Sequence, residues 1–205
     1  MKSLIGSTLV AAAVLAGCSD AGPVKAGDLA FITLPPAAPQ LCADSVGAWF
    51  KNDPNGQDST ITLDFPAPGA PLDCSGATEQ FLGLRIRAGS LWRFPNGNLI
   101  PDGASVFIYV KWVGSDSILF NLQPSGLIFH QNTPAELNIE YTEAGDDLND
   151  DGHVDGADAT VEGVLDIWRQ ERPADPWVKV GTGHNEDTNE IEAQLNGLSS
   201  FAIAY

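Results

Sequence analysis

From Thr60 to the C-terminus, apolar and polar residues keep changing places, and a period of two admits extended strands and little else. Ile61, Leu63 and Phe65 alternate with Thr60, Thr62 and Asp64, and Leu82, Leu84 and Ile86 with Gly83, Arg85 and Arg87. The same rule runs through Ile118, Phe120 and Leu122, through Leu137, Ile139 and Tyr141, through Ile191, Ala193 and Leu195, and through Phe201, Ile203 and Tyr205. Val106 to Val113 is almost continuously apolar, which predicts a central strand covered on both faces. Turn chemistry separates the runs at Pro95-Asn96-Gly97, Pro101-Asp102-Gly103, Pro124-Ser125-Gly126 and Asn196-Gly197. Many short strands with frequent turns predict an all-β chain, an antiparallel β-sandwich. At 205 residues the chain supports one substantial core.

One stretch breaks the alternation. Between Asp147 and Asp158 the side-chain oxygens of Asp147, Asn149, Asp151, Asp155 and Asp158 fall at positions 1, 3, 5, 9 and 12 of a twelve-residue loop. Gly152 occupies the sharp-turn position, the backbone carbonyl of His153 the seventh, and Val154 the eighth, where an apolar anchor is expected. Six carboxylates crowd between Asp146 and Asp158 and repel one another unless a cation neutralises them, so the spacing predicts a bound calcium ion. The alternative is a solvated acidic hairpin. Beyond the loop, one helical turn near Ala157 to Glu162 and then a strand through Arg169 are expected. The loop resembles those of EF-hands and dockerins, but a strand enters it where an EF-hand has a helix, and dockerins carry two such repeats.

The first residues read as an export leader. Met1-Lys2-Ser3 is a short positive start, Leu4 to Ala16 is largely apolar, and the run is too short for a retained membrane span. Its ending, Leu15-Ala16-Gly17-Cys18, resembles the lipobox of bacterial lipoproteins. That resemblance implies cleavage after residue 17 and a diacylglyceryl group on Cys18, with an amide-linked acyl chain such as palmitate. Several chains give stable anchoring. Ser19, where an aspartate would favour inner-membrane retention, implies the outer membrane or cell surface of a bacterial envelope. Cys42 and Cys74 remain as an even pair in an exported chain and are expected to form a disulfide, two free thiols being the alternative.

These features divide the chain into a leader, 1–17, a lipidated and Pro/Ala-rich tether, 18–40, and one sandwich domain, 41–205. Within the tether, Ala30 to Leu34 is apolar enough to add an edge strand. From about residue 88 onward the strand order resembles the ZU-five β-domain. The matching pieces are Ser125 to Phe129, Pro134 to Tyr141, Trp177 to Val180 and Leu198 to Tyr205. Core residues and turns carry that resemblance, so it implies a fold and no activity.

Twenty-seven acidic residues against ten basic ones give a net charge of −17, a field that repels nucleic acid and draws in cations. Nucleophile-elbow, zinc-helix, phosphate-loop and dinucleotide fingerprints are missing from the sequence. His130, His153 and His184 are scattered, and Gly181-Thr182-Gly183-His184 reads as a turn. The expected function is therefore a non-catalytic envelope lipoprotein, calcium-stabilised, acting as a structural or binding module with a protein or polysaccharide ligand. A calcium-dependent carbohydrate-binding module at the cell surface is the alternative, and a hydrolase built on paired carboxylates a more distant one. Among the five tryptophans, Trp49 and Trp177 lie next to loops and are the candidate ligand contacts, whereas Trp112 is expected in the core.

Overall fold

The computed structural model describes residues 22–114 and 116–205, so the leader and Cys18 lie outside the described residues. In chain order the strands are β1 (Ser45–Lys51), β2 (Ser59–Pro66), β3 (Thr78–Ile86), β4 (Leu91–Arg93), β5 (Ser105–Trp112), β6 (Leu119–Gln123), β7 (Ile128–Phe129) and β8 (Ala135–Glu140). A short helix α1 (Gly156–Glu162) follows, and then β9 (Asp166–Gln170), β10 (Trp177–Lys179), β11 (Gly181–Asn185), β12 (Glu190–Leu195) and β13 (Ser200–Ala204). They form an antiparallel β-sandwich. One sheet has six strands in the order β1-β5-β6-β13-β9-β10, and the other five in the order β11-β12-β8-β3-β2. The pair β4-β7 stands apart from both.

The alternation sets the inner faces. Ile61, Leu63 and Phe65 of β2, Leu137 and Ile139 of β8, and Ile191, Ala193 and Leu195 of β12 meet Val106, Ile108 and Val110 of β5 and Phe120 and Leu122 of β6 in one core. A bulge adjusts the pattern in β3: Leu63 stands opposite Leu82 but Asp64 opposite Gln80, so Phe81 is an extra residue. Two consecutive side chains, Phe81 and Leu82, therefore both point inward. The Phe81 ring lies 4.6 Å from that of Phe65 and 5.4 Å from that of Phe120, and the three rings tie the two sheets together. At the sandwich edge, Cys42 and Cys74 form a disulfide across 32 residues of chain. In the chain-entropy account a closed loop of that length stabilises the fold by roughly 3–4 kcal/mol.

Two expectations are corrected. The run 106–113 is not covered on both faces: Val106, Ile108 and Val110 are buried while Phe107, Tyr109 and Val113 are exposed. A strand that is covered on both sides is β13, where Phe201, Ala202, Ile203 and Ala204 are all buried. The cause is the second correction, which concerns the tether expected through residue 40. Ala30 to Leu34 pairs as a strand would, as its apolar character suggests, but the docked segment reaches back to residue 24, with Val24 bridging Trp177, Phe31 bridging Ala204 and Thr33 bridging Ser117. Ile32 and Leu34 enter the main core. Val24, Leu29 and Phe31 cover Trp168, Trp177, Ala202 and Ala204 on the outer face of the six-stranded sheet.

Candidate functional site

The loop expected to hold calcium connects β8 in one sheet to β9 in the other. Tyr141 closes β8, the short 3-10 turn Thr142–Ala144 follows, and Gly145 at φ 77° turns the chain into the loop. Inside the loop the acidic side chains accept backbone N–H groups in sequence. Asp147 Oδ1 and Oδ2 accept from Asp151 (3.1 Å) and Gly152 (2.9 Å), Asn149 Oδ1 from Asp151 (3.0 Å), and Asp151 Oδ1 from His153 (2.9 Å). Gly152, at φ 83°, supplies the left-handed turn its position requires.

Asp155 and Asp158 then start α1. The Asp155 carboxylate accepts from Ala157 N–H at 2.7 Å, and Asp158 Oδ2 reaches back to Asp155 N–H at 2.8 Å, a capping box. Asp158 Oδ1 also accepts from Leu148 (2.9 Å) and Asn149 (3.2 Å), so this one carboxylate joins both ends of the loop. Its side chain is covered by its own loop near the surface, and the hydrogen bonds outweigh desolvation. The Asp155 N–H, then those of Asn149 and Leu148, hold its carboxyl below the ordinary 3.8.

The residues expected to bind calcium are thus brought into one loop. Among the described residues, no three His, Cys, Asp or Glu side chains are gathered so as to hold a metal ion. His153 is exposed, in keeping with a role for its carbonyl alone. Val154 is corrected: it is exposed rather than an anchor, because no second loop or core surface faces it. The helical turn and following strand lie where the sequence places them.

Behind the loop stands a group that sequence reasoning missed. The Tyr141 hydroxyl lies 3.1 Å from Glu162 of α1 and 2.8 Å from His184 Nε2 of β11. Gly181 to His184 is accordingly a strand and not the expected turn. Burial, and then the Glu162 carboxylate, push the tyrosine hydroxyl upward, so it stays protonated and donates. Nothing in the spacing of residues 141, 162 and 184 announces this contact; the pairing of β11 with β12 and of β12 with β8 brings His184 near Tyr141, and α1 brings Glu162.

The two candidate tryptophans part company. Trp49 is 71% exposed on β1. Trp177 is 2% exposed, sealed beneath Phe31 with ring centroids 5.4 Å apart, so its expected role as a ligand contact is corrected. Its neighbour Val24 makes the loop-side position an inner one. Trp112 packs against the core and donates its indole N–H to the Ser117 carbonyl at 2.9 Å. Beside Trp49 lie Phe107 (ring centroids 5.4 Å apart) and, 6.2 Å further on, Tyr109. The sequence does carry a signal for these two rings: Ser105 and Lys111 share their parity in β5, which marks that face as the outward one.

A polar groove of about 400 Å³ lies on the five-stranded sheet, over Gly83 and beside Gln80, Arg85 and Asn138. Of its charged residues, Arg85 pairs with Asp58 (2.5 Å) and with Glu136 (3.0 Å), and Glu136 also with Arg87. No protein-family profile, no curated protein and no solved structure matches the chain.

Proposed function

We propose that the protein is a non-catalytic cell-envelope lipoprotein whose sandwich acts as a structural or binding module held at the outer membrane or cell surface by acyl chains on Cys18. One calcium ion, bound by Asp147, Asn149, Asp151, the His153 carbonyl, Asp155 and Asp158, stiffens the β8–β9 connection. The donor set supports a hard cation: all six ligands are oxygens, and a carboxylate oxygen that accepts one N–H keeps acceptor capacity. Asp158 Oδ1 already accepts two, which makes Oδ2 the better ligand atom there.

The observation that carries the reading is the docked N-terminal segment. Val24 is fastened to Trp177, so six residue steps separate Cys18 from the first anchored residue. Such a link spans at most about 22 Å, which keeps the domain close to the surface to which Cys18 is anchored.

Two measurements test this. Cys18→Ser should move the protein from the membrane to the soluble fraction, and its retention in the membrane would remove the anchor from the reading. Calcium at a hundredfold excess over its Kd should stabilise the parent by about 2.7 kcal/mol, read as a rise in Tm. Asp147→Ala combined with Asp151→Ala should abolish that rise, and equal calcium responses in parent and variant would dispose of the metal site. A calcium-dependent carbohydrate-binding module is the second reading, favoured by the exposure of Trp49 beside Phe107.

A further inference from the structure

Register defines what surrounds Trp49. Gly47 stands opposite Tyr109, Trp49 opposite Phe107, Lys51 opposite Ser105 and Ser45 opposite Lys111. On the next strand Gln123 stands opposite Tyr109 and Asn121 opposite Lys111, and beyond it Ser200 stands opposite Asn121. Partners share a face, so these residues form one continuous outer surface across β1, β5, β6 and the start of β13. The N-terminal segment covers the other half of this sheet and leaves this half open.

Three properties of the open half point to its occupant. One ring is laid down: a Cβ on Gly47 would come within 2.7 Å of the Phe107 ring tip, so the missing side chain lets Phe107 lean across β1. Three rings with centroids 5.4 and 6.2 Å apart, tilted by 55° and 35° against one another, then follow one another on the scale of successive sugar rings. Its polar groups are oriented amides. Asn121 Oδ1 accepts from Ser200 Oγ at 2.7 Å and Gln123 Oε1 from Ser125 N–H at 2.9 Å, which orients both amides and leaves both NH₂ groups to donate. Its charge is unlike that of the rest of the chain: in a protein of net charge −17, these strand positions include no Asp or Glu, and Lys51 and Lys111 sit at the two ends.

Resting on the reading of the protein as a surface-held binding module, we propose that this face binds an extended, neutral β-linked polysaccharide. Pyranoses with equatorial hydroxyls stack their C–H faces on Trp49, Phe107 and Tyr109, while Asn121 and Gln123 donate to ring hydroxyls. Stacking on exposed aromatic rings recovers apolar area with little loss of side-chain freedom. The membrane is not the occupant, because Val24, the first residue fastened to the fold, is bridged to Trp177 of β10, at the edge of the sheet opposite β1. Five strand spacings separate β1 from β10, about 24 Å. The calcium loop leads into β9, four strands from β1, or about 19 Å, so binding does not pass through the metal.

The test is calorimetric titration of the detergent-purified full chain with cellohexaose, chitohexaose and, as a non-extended control, maltohexaose. At least one of the first two should bind, with tryptophan emission shifting to shorter wavelength, and maltohexaose should bind more weakly. Loss of a central aromatic contact should weaken affinity about tenfold for Trp49→Ala and by a smaller factor for Tyr109→Ala, with Tm unchanged in both because the side chains are exposed. Asp147→Ala with Asp151→Ala should bind the sugar as the parent does, which separates this result from the fate of the calcium reading. The proposal is overturned by no heat with cellohexaose or chitohexaose at millimolar concentration, by maltohexaose binding equally, or by undiminished binding in Trp49→Ala. Self-association of the Cys18→Ser protein, or its sedimentation with phosphatidylglycerol vesicles, would also overturn it if Trp49→Ala abolishes either, since the face would then belong to a second copy or to a bilayer.

Discussion

At the scale of single residues, charge placement is the decisive variable. Asp158 spends both carboxylate oxygens on three backbone N–H groups, and its carboxyl is held below the ordinary 3.8. A depressed carboxyl stabilises the fold fully above its unfolded value and loses that contribution as pH falls through the folded one. Glu140 and Glu143 act in the other direction. Burial, and then the neighbouring charges of Glu190 and Glu79 for Glu140 and of Glu79 for Glu143, raise both above 4.5. Their ionised forms cost stability at neutral pH, and that cost is relieved as pH falls toward the raised values. Tm measured by calorimetry should therefore rise as pH drops from neutrality toward 4.5, then fall below 3.8. Glu140→Gln should flatten the rise and Asp158→Asn part of the fall; a profile unchanged in both variants would mean these carboxyls do not govern it.

At the scale of elements, the N-terminal segment behaves as a strand. Ile32 donates its N–H to Ile203 (3.0 Å) and accepts from Ile118 (2.9 Å), so it sits between β13 and the residue before β6, and its side chain is 1% exposed. A tether would tolerate truncation there without consequence. A buried isoleucine cut to alanine costs about 2–5 kcal/mol, so Ile32→Ala should lower the urea midpoint clearly while Lys25→Ala, on the exposed part of the same segment, should not. Equal midpoints for the two variants would return the segment to linker status. The same docking explains why β13 is buried on both faces.

For the molecule as a whole, the net charge of −17 is a source of self-repulsion that close pairing does not cancel. The ion pairs present, such as Lys179 with Asp166 (2.8 Å), use few of the acids. Screening shortens the range of the repulsion to about 8–10 Å near physiological ionic strength. Raising sodium chloride from low to moderate concentration, with calcium chelated, should thus increase stability. A gain of about 1 kcal/mol would read as about 2–4 °C in Tm for a chain of this size. A fall in Tm with salt would show that favourable ion pairs outweigh the repulsion. The disulfide acts at this scale too, because it joins the chain before β1 to the chain before β3 and so couples the edges of the two sheets.

The residues themselves carry the local rules. Period two places Ile61, Leu63 and Phe65 inside, glycine and proline mark the turns, and the spacing of Asp147 to Asp158 makes a loop whose N–H groups close on its own carboxylates. These depend on neighbours a few positions away, which any reader of the chain can count. Covering was decided elsewhere. Val106 to Val113 looks like a two-faced strand and Trp177 like an exposed one, because hydrophobicity reports that a side chain favours cover without naming what provides it. Segment 24–34 went to β10 and β13 and sealed Trp177, and among the described residues Trp49, Phe107 and Tyr109 stay exposed. The contact of Tyr141 with Glu162 and His184 arose in the same way, from strands that are distant in sequence and adjacent only after the sheets have formed.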